Sequence, residues 1–345
     1  DIEKNLKQDD SGAWNTKINI KNLKPGKYQV QAELENDDGK TNTQKAYFYV
    51  SYPLYITWTI DWEGFESPNE YLNNMSQVAD KYEMPMTHLF NPRIYTTTQV
   101  SKERAQYFTN WVLERYKNKY EEIGMHLHWY DDFVQSAGIE VKKQYSWGNT
   151  GVGPGYETLP SNFTKEELTT MLKYGKNLLK TNGLPEPVSY RAGGWFANSD
   201  LLGALDSTGF KIDTSGKTQY TFGPNNVESY WNLSETQKPY HPSKTNQNAE
   251  LESNLKLWEV PNNGLDSYWH SDKEMIDRFN KNYNGKILDQ PVQVTFLSHP
   301  NWFNQKEKQR MESVFNYTNN FLSSKDIGPA KYVTLQTIYK DWLAN

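Results

Sequence analysis

The chain has 345 residues, of which 36% are hydrophobic, so it is long enough for one large domain with a sizeable core and a small one beside it. Its 37 basic and 42 acidic side chains give a formal net charge of −5, which argues against a nucleic-acid partner because such partners are held through Lys and Arg. No run approaches the roughly 18 to 20 apolar residues that a membrane span needs, and the absence of cysteine excludes thiol catalysis and disulfides.

Residues 1–52 have the pattern of a small all-β region. Alternating polar and apolar residues predict three strands, over 16–20, 27–34 and 46–50. The sequence 36–39 (NDDG) supplies a hairpin turn between the second and the third of them. The region resembles a piece of an immunoglobulin-like sandwich of bacterial surface proteins. Because a complete sandwich needs about 100 residues, we expect this region to lean on the following domain or to be completed by chain upstream of Asp1.

Residues 53–345 alternate between strand-like and helix-like segments. Strands are predicted over 54–60, 84–90, 122–128, 188–191, 211–213, 255–259, 292–298 and 332–334, and helices over 68–81, 102–116, 165–180, 199–207 and 306–323. Strands and helices that take turns imply a parallel sheet, and about seven such units should close into a distorted (β/α)7-type barrel. The predicted fold class is therefore α/β, with a long polar insertion loop over 216–254 and an active site at the carboxyl ends of the strands.

Two carboxylates follow the first predicted barrel strand, in the sequence 59–64 (TIDWEG). Asp61 and Glu63 are two residues apart, so on an extended strand they point to the same side. A strand end with two carboxylates beside a glycine could hold a divalent metal ion and a general base together. A solvated loop after the strand accounts for the same residues about as well.

Two histidines repeat this spacing at the end of another apolar strand, in the sequence 121–129 (EEIGMHLHW). His126 and His128 would again share one face, and two imidazoles on one face are a common way to bind Zn²⁺ or a similar ion. A lone histidine would more often be a core residue, but the pair favours metal binding. Together the carboxylate and histidine pairs supply three or more ligands and leave a position open for water, which is typical of a hydrolytic site.

At these residues the chain resembles the polysaccharide deacetylases of carbohydrate esterase family 4, which share the nodulation-protein-type deacetylase domain. The resemblance covers residues 54–345. The first motif of that family pairs a general base with a metal-binding acid. In this chain the resemblance implies Asp61 as the base and Glu63 as a metal ligand.

The second motif of the family has a histidine four residues after the first one, and this chain has Tyr130 at that position. The resemblance implies His126 as the first ligand of the motif. His128 is the implied substitute for the second ligand, with Asp131 or Asp132 as the alternatives.

The sequence 189–196 (SYRAGGWF) is similar to the arginine-containing motif of the family. The arginine of that motif orients the catalytic acid, which implies that Arg191 forms a bidentate ion pair with Asp61. The neighbouring aromatic residue, Trp195, would form a wall of the substrate groove. A purely structural ion pair is the alternative interpretation of Arg191.

The sequence 295–300 (TFLSHP) is similar to the last motif of the family. It implies that Leu297 lines the acetyl pocket and that His299 is the general acid. A histidine just past an apolar strand is well placed for proton transfer near neutral pH, although on its own it would more often be a capped loop residue. Trp302 would flank the sugar together with Trp195.

The resemblance as a whole implies a metal-dependent hydrolase that removes N-acetyl, or O-acetyl, groups from an extracellular or cell-wall amino-sugar polysaccharide. Its divalent metal would be Zn²⁺, or else Co²⁺, Ni²⁺ or Mn²⁺, held by Glu63, His126 and His128. An aromatic content of 14% favours a sugar ligand slightly, because ring faces stack on sugars, although large rings also simply fill cores. The β-region and the implied substrate together suggest a secreted protein at the cell surface.

Two other functions compete with deacetylation. A catalytically decayed barrel could act as a glycan-binding or adhesive surface protein, which the altered first and second motifs favour somewhat. A glycoside hydrolase would need two carboxylates about 5 to 10 Å apart across the bond that it cleaves. Asp131 and Asp132 are adjacent in the sequence and are therefore poor candidates for such a pair.

Overall fold

The structure is a computed structural model that describes residues 4–142, 157–222 and 226–344. Within these ranges the strands are β1 (Lys7–Gln8), β2 (Trp14–Asn15), β3 (Gly26–Glu35), β4 (Thr41–Val50), β5 (Leu54–Asp61), β6 (Met86–Phe90), β7 (Glu122–Leu127), β8 (Trp129–Tyr130), β9 (Glu157–Thr158), β10 (Ser189–Ala192), β11 (Ile212–Asp213), β12 (Thr221–Phe222), β13 (Val227–Glu228), β14 (Trp258–Glu259), β15 (Val292–Ser298) and β16 (Ala330–Tyr332). The α-helices are α1 (Asn69–Tyr82), α2 (Lys102–Lys119), α3 (Asp131–Ser136), α4 (Lys165–Thr181), α5 (Ser199–Ser207), α6 (Asp272–Asn282), α7 (Gln305–Thr318) and α8 (Leu335–Ile338).

The main sheet is parallel and has eight strands, in the order β14-β11-β10-β7-β6-β5-β15, with β16 beside the first half of β5. Every residue of β5 is buried, and seven of its eight residues are uncharged, as expected of a strand covered on both faces. The two edges of this sheet, β14 and β15, are connected by a further segment of the chain. The chain after β14 continues into residues 264–267, which hydrogen-bond to β15. The predicted parallel α/β sheet, curved like a distorted (β/α) barrel, is therefore confirmed.

The helices pack outside this sheet because each of the long ones has an apolar face. In α1 the buried residues Leu72, Met75, Val78 and Ala79 recur every three or four positions. The start of α4 is fixed by a capping box, in which Thr164 and Glu167 satisfy each other's backbone N–H groups. None of the helices in the described ranges is long and apolar enough to cross a bilayer.

The predicted barrel elements match the observed ones within a few residues, with three differences. Helices α3, α6 and α8 were not predicted, although the Ser271–Glu274 capping box at the start of α6 is a readable signal. The strand predicted over 122–128 ends at Leu127, so His128 already belongs to the connection that follows it. The polar stretch 216–254 has no helix in its described part but contains the antiparallel strand pair β12–β13.

The region before the barrel forms two separate two-stranded antiparallel sheets, β1–β2 and β3–β4. The strands predicted over 27–34 and 46–50 are present within β3 and β4, and Gly39 has the positive φ of the expected turn. The strand predicted over 16–20 is wrong, because these residues are mostly exposed and pair with nothing in the described chain, whereas Trp14 and Asn15 do pair. An immunoglobulin-like sandwich is not confirmed.

Candidate active site

A cavity of about 230 Å³ opens where the carboxyl ends of β5, β7 and β10 meet the loop after β15. Its walls come from widely separated parts of the chain: Asp61, Glu63, Phe65, His126, His128, Tyr130, Gly194, Trp195, Phe222, Trp269, His299 and Trp302. Seven of the nine residues that the sequence singles out line this cavity. The other two, Arg191 and Leu297, are fully buried behind its wall.

Three of the cavity residues form a group that could hold a metal ion. One ligand atom from each of Glu63, His126 and His128 lies within 4.8 Å of the other two, and all three side chains are buried. Glu63 Oε2 lies 2.6 Å from His128 Nε2, and Glu63 Oε1 lies 3.8 Å from His126 Nε2. The structure thus groups His128, rather than Asp131 or Asp132, with the other two.

The first imidazole presents a free ring nitrogen to this group. His126 Nδ1 lies 2.9 Å from the carbonyl oxygen of Arg191, to which it can only donate, so the proton sits on Nδ1 and the lone pair on Nε2. His126 Nε2 is buried and makes no hydrogen bond. A buried acceptor without a donor is costly, and a metal ion would satisfy it. Two imidazole nitrogens and one carboxylate oxygen also form a donor set that suits a catalytic Zn²⁺ with one open position.

The second imidazole is oriented by a carboxylate that sequence reasoning missed. Glu157 lies opposite Tyr130 in the β8–β9 pair and accepts a hydrogen bond from His128 Nδ1. A carboxylate behind a metal-binding histidine fixes its tautomer and raises its basicity. Burial lowers the pKa of His128, but the carboxylates of Glu157 and Glu63 outweigh it and raise that pKa well above the ordinary value.

Glu63 is held in its charged form. Burial raises the pKa of this carboxyl, but the charge of His128, whose Nε2 lies 2.6 Å from Glu63 Oε2, outweighs burial and leaves the pKa well below its usual range. A carboxylate that stays ionised is the form that a divalent cation requires.

Asp61 ends β5 and is tied to Arg191 on β10. Arg191 Nη1 donates to Asp61 Oδ1 at 2.9 Å and to the Thr59 hydroxyl at 2.8 Å. Its remaining donors go to the carbonyl and the hydroxyl of Thr214. The bidentate pair expected from the sequence is therefore wrong: one N–H group reaches Asp61, because the others are used to anchor the guanidinium in the barrel. Asp61 itself lines the cavity together with Glu63 and the two histidines.

His299 lines the same cavity and comes directly after β15. Its Nε2 is 3.3 Å from Glu63 Oε1, and its Nδ1 is 3.6 Å from Asp266 Oδ1 on the segment that closes the barrel. Burial lowers the pKa of His299, but the carboxylates of Asp266 and Glu63 outweigh it and raise that pKa above the ordinary value. Asp266 is the second residue that the sequence did not indicate, because nothing in its local pattern points to His299.

The three residues predicted to contact the substrate differ in their placement. Trp302 is a half-exposed wall whose ring centre lies 4.7 Å from that of His299. Trp195 lines the cavity but is only 5% exposed. Leu297 is fully buried between β5 and the closing segment and is not among the lining residues. Trp269, which is 61% exposed at the rim, had no role in the sequence interpretation.

Comparison with known proteins adds a fold to this geometry. No family model matches the sequence, and no curated protein matches it either. Among solved structures, a Mycobacterium smegmatis protein described as a polysaccharide deacetylase is 13% identical, with 86% of this chain and 92% of that chain covered and a TM-score of 0.52. Puue allantoinase is 10% identical, with 85% and 91% covered and a TM-score of 0.51. A Pseudomonas aeruginosa PAO1 protein described as a polysaccharide deacetylase is 10% identical, with 85% and 91% covered and a TM-score of 0.50.

Identities this low establish the fold alone. The chain has the fold in which these two deacetylases and the allantoinase are built, over nearly the whole length of each. What this chain does with the fold has to be argued from its own site.

Proposed function

We propose that the protein is a metal-dependent hydrolase that removes acetyl groups from an amino-sugar polysaccharide. One observation carries the proposal: a buried group of two imidazoles and a carboxylate shares a single cavity with an arginine-held Asp61 and a carboxylate-backed His299. The shared fold with proteins described as polysaccharide deacetylases supports the choice of reaction.

Glu63, His126 and His128 would hold a divalent cation, and Zn²⁺ suits their two nitrogens and one oxygen best, with Co²⁺, Ni²⁺ and Mn²⁺ as other candidates. Such an ion, when bound, polarises the acetamide carbonyl and makes a nearby water more acidic. Glu157 keeps His128 in the orientation that binding requires.

The residues on either side of this group would move the protons. Asp61 accepts a proton from the attacking water, and Arg191 holds its carboxylate in position through the hydrogen bond to Oδ1. The water oxygen bonds to the carbonyl carbon, the C–N bond breaks, and acetate and a free amine result. The carboxylates near His299, Asp266 most of all, outweigh burial and raise the pKa of this histidine. His299 donates the proton that the leaving amine needs.

The aromatic rim supports a sugar as the substrate. Trp302 and Trp269 present ring surfaces beside the cavity, and such surfaces stack on the C–H faces of pyranose rings. An acetylated polymer of the cell wall or of the extracellular space fits this open, half-exposed rim. We propose the corresponding extracellular or cell-surface location on the same ground.

The proposal is tested by metal content and acetate release, measured together on the wild type, His126→Ala and His299→Ala. The wild type should bind about one Zn²⁺ per chain and release acetate from an acetylated glucosamine polymer. His126→Ala should lose the metal, because three ligands are the minimum for a catalytic site. His299→Ala should keep the metal and lose about 10²- to 10⁴-fold in kcat, the usual contribution of a general acid.

Each alternative has its own outcome in this experiment. A wild type that stays empty after equilibration with each candidate metal would exclude the hydrolytic mechanism and favour a glycan-binding barrel. Full activity of His299→Ala would show that another group protonates the amine. Allantoin serves as the non-sugar amide, since one protein of the same fold is an allantoinase, and release of a product from it alone would move the substrate away from sugars.

A further inference from the structure

The candidate active site continues into a second pocket. This pocket has a volume of about 520 Å³ and shares three of its walls, Trp195, Phe222 and Trp269, with the first cavity. The other lining residues are Lys217, Tyr220, Thr221 and His270. A polymer that presents one unit to Glu63 and the histidines would therefore place a neighbouring unit or substituent here.

Lys217 gives this pocket a positive charge. Its side chain is half-buried, and its ammonium lies 3.7 Å from the ring centre of Trp195 and 4.5 Å from that of Tyr220. It forms no salt bridge with any residue in the described part of the chain. Burial lowers the pKa of Lys217 to about 8, against the opposing pull of the Asp266 carboxylate, so most of it is still charged at neutral pH.

The neighbouring charges leave this ammonium available. Asp266 acts on Lys217 through space, but its nearest cationic partner is His299, at 3.6 Å. His270 lines the same pocket, and burial lowers its pKa, so it contributes a neutral imidazole. The aromatic faces under Lys217 hold it in place without neutralising it. A half-buried cation with no counter-ion gains free energy when an anion arrives.

We propose that this pocket is a binding site for a carboxylate of the substrate, so that the acetylated polymer carries acidic sugar units next to the units that lose their acetyl group. A single ammonium matches one negative charge, whereas phosphate and sulfate sites usually combine several donors such as an arginine fork or backbone N–H groups. The aromatic walls around Lys217 suit the ring that bears the carboxylate. The proposal rests on the proposed deacetylation for its catalytic consequence, but not for the binding itself.

The alternative is that Lys217 has a purely structural role and only packs against Trp195 and Tyr220. If the role is purely structural, replacing Lys217 would weaken the binding of every ligand equally, because it would loosen the pocket wall that all ligands contact. If Lys217 binds a carboxylate, replacing it would weaken the binding of acidic ligands alone. The experiment therefore needs pairs of ligands that differ in nothing but the carboxylate.

Suitable pairs are N-acetylated oligosaccharides in which every second sugar is a uronic acid or carries a carboxyethyl ether, each matched with its carboxyl-reduced form. Binding is measured by calorimetry and turnover by acetate release, on the wild type, Lys217→Met and Lys217→Arg. Lys173→Met removes the same charge from an exposed position of α4 and controls for net charge.

The wild type should prefer the acidic member of at least one pair, and Lys217→Met should reduce that preference by roughly tenfold, the value of one partly buried ion pair. Lys217→Arg should retain part of the preference, and Lys173→Met all of it. Raising the salt concentration should weaken the preference in the wild type, because the attraction is electrostatic.

Three results would overturn the proposal: no preference for any acidic member in the wild type, an equal loss on both members of a pair in Lys217→Met, or the same change in Lys173→Met. Failure of the deacetylation itself is recognised separately. In that case no member releases acetate, while calorimetry still reports whether the acidic members bind through Lys217.

Discussion

At the scale of single residues, the ring of His128 packs against a glycine, Gly193, that has no room for a side chain. Gly193 follows Arg191 by two residues and lies against the ring of His128. A Cβ atom on Gly193 would lie 2.5 Å from both Cγ and Nδ1 of that ring, closer than atoms in proteins approach. The backbone of Gly193 does not need glycine for its φ, so alanine at this position would act through the clash alone. The glycine of this motif is therefore a packing requirement of the second imidazole.

We predict that Gly193→Ala lowers the affinity for Zn²⁺ by about 10- to 100-fold, the usual cost of disturbing the support of a metal-binding histidine. The displaced ring would also lose its hydrogen bond to Glu157. Titration against a competing chromophoric chelator measures the affinity. Gly26→Ala is the control, since the nearest atom to its Cβ would be Tyr28 Cε2 at an ordinary 3.5 Å. Unchanged affinity in Gly193→Ala would mean that the ring moves aside freely or that His128 is not a ligand.

The same scale separates what the sequence could reveal from what it could not. Asp61 with Glu63, and His126 with His128, were readable because a spacing of two at a strand end places both side chains on one side. Glu157 and Asp266 were not readable, since they reach their imidazoles through a short antiparallel pair and through the segment that closes the barrel. Those contacts arise from the folded chain and leave no periodic signal in the sequence.

At the scale of elements, one buried arginine joins the parts that surround Glu63. Arg93 lies in the turn after β6, and its Nε and Nη2 both donate to Asp132 of α3 at 2.7 Å. Its Nη1 donates to the carbonyl oxygen of Gly64, the residue after Glu63, at 3.1 Å. The guanidinium also lies against the rings of Phe65 and Tyr130, which are two walls of the cavity, at 4.8 and 4.3 Å from their centres.

This arrangement explains why Asp132 does not join the group of Glu63, His126 and His128. Its carboxylate is used in a bidentate pair with Arg93, whose side chain is fully buried. The position of Asp132 after β7 predicts that it lies at the carboxyl end of the barrel, but no local pattern in the sequence points to Arg93 as its partner. Helix α3, which carries Asp132, was itself missed because its six residues are too short to show a helical period.

We predict a large coupling energy between Arg93 and Asp132, measured by a double-mutant cycle of Arg93→Met and Asp132→Asn in chemical denaturation. Breaking a buried pair leaves an unpaired charge, so we expect about 3 kcal/mol of coupling. The half-exposed pair Arg104–Glu66, with Arg104→Met and Glu66→Gln, is the matched control and should give less than about 1 kcal/mol. Equal coupling energies in the two cycles would show that the buried ion pair of Arg93 and Asp132 does not hold α3 in place more strongly than an exposed pair would.

At the scale of the whole molecule, the two ends of the barrel have different tasks. The carboxyl ends of the strands carry the candidate site, and the opposite end holds the barrel together. There the buried carboxyl of Glu122, at the start of β7, accepts hydrogen bonds from the Ser189 hydroxyl at 2.6 Å and from the Gln336 backbone N–H at 2.7 Å. It thereby links two neighbouring strands to the C-terminal helix α8, at a distance in sequence that no local pattern could predict.

Glu122 also makes the stability of the barrel depend on pH. Burial raises the pKa of this carboxyl above its ordinary value, because it outweighs the hydrogen bonds that favour the charged form. The folded protein therefore binds the proton more tightly than the unfolded chain does. The stabilisation from this tighter proton binding is fully present below the pKa of Glu122 in the unfolded chain, about 4.3. It is lost as the pH rises through the raised pKa of Glu122 in the folded protein.

We predict that Glu122→Gln, which stays neutral at every pH, becomes progressively more stable relative to the wild type as the pH rises through this window. The difference in unfolding free energy should grow by about 1.4 kcal/mol for each unit by which the folded pKa is raised. Urea denaturation at a series of pH values measures it, and subtracting the two proteins removes every other titrating group. Glu114→Gln, at an exposed position of α2, should show a constant difference. A Glu122→Gln difference that stays constant, or that shrinks as the pH rises, would show that the folded barrel holds this carboxyl in its charged form.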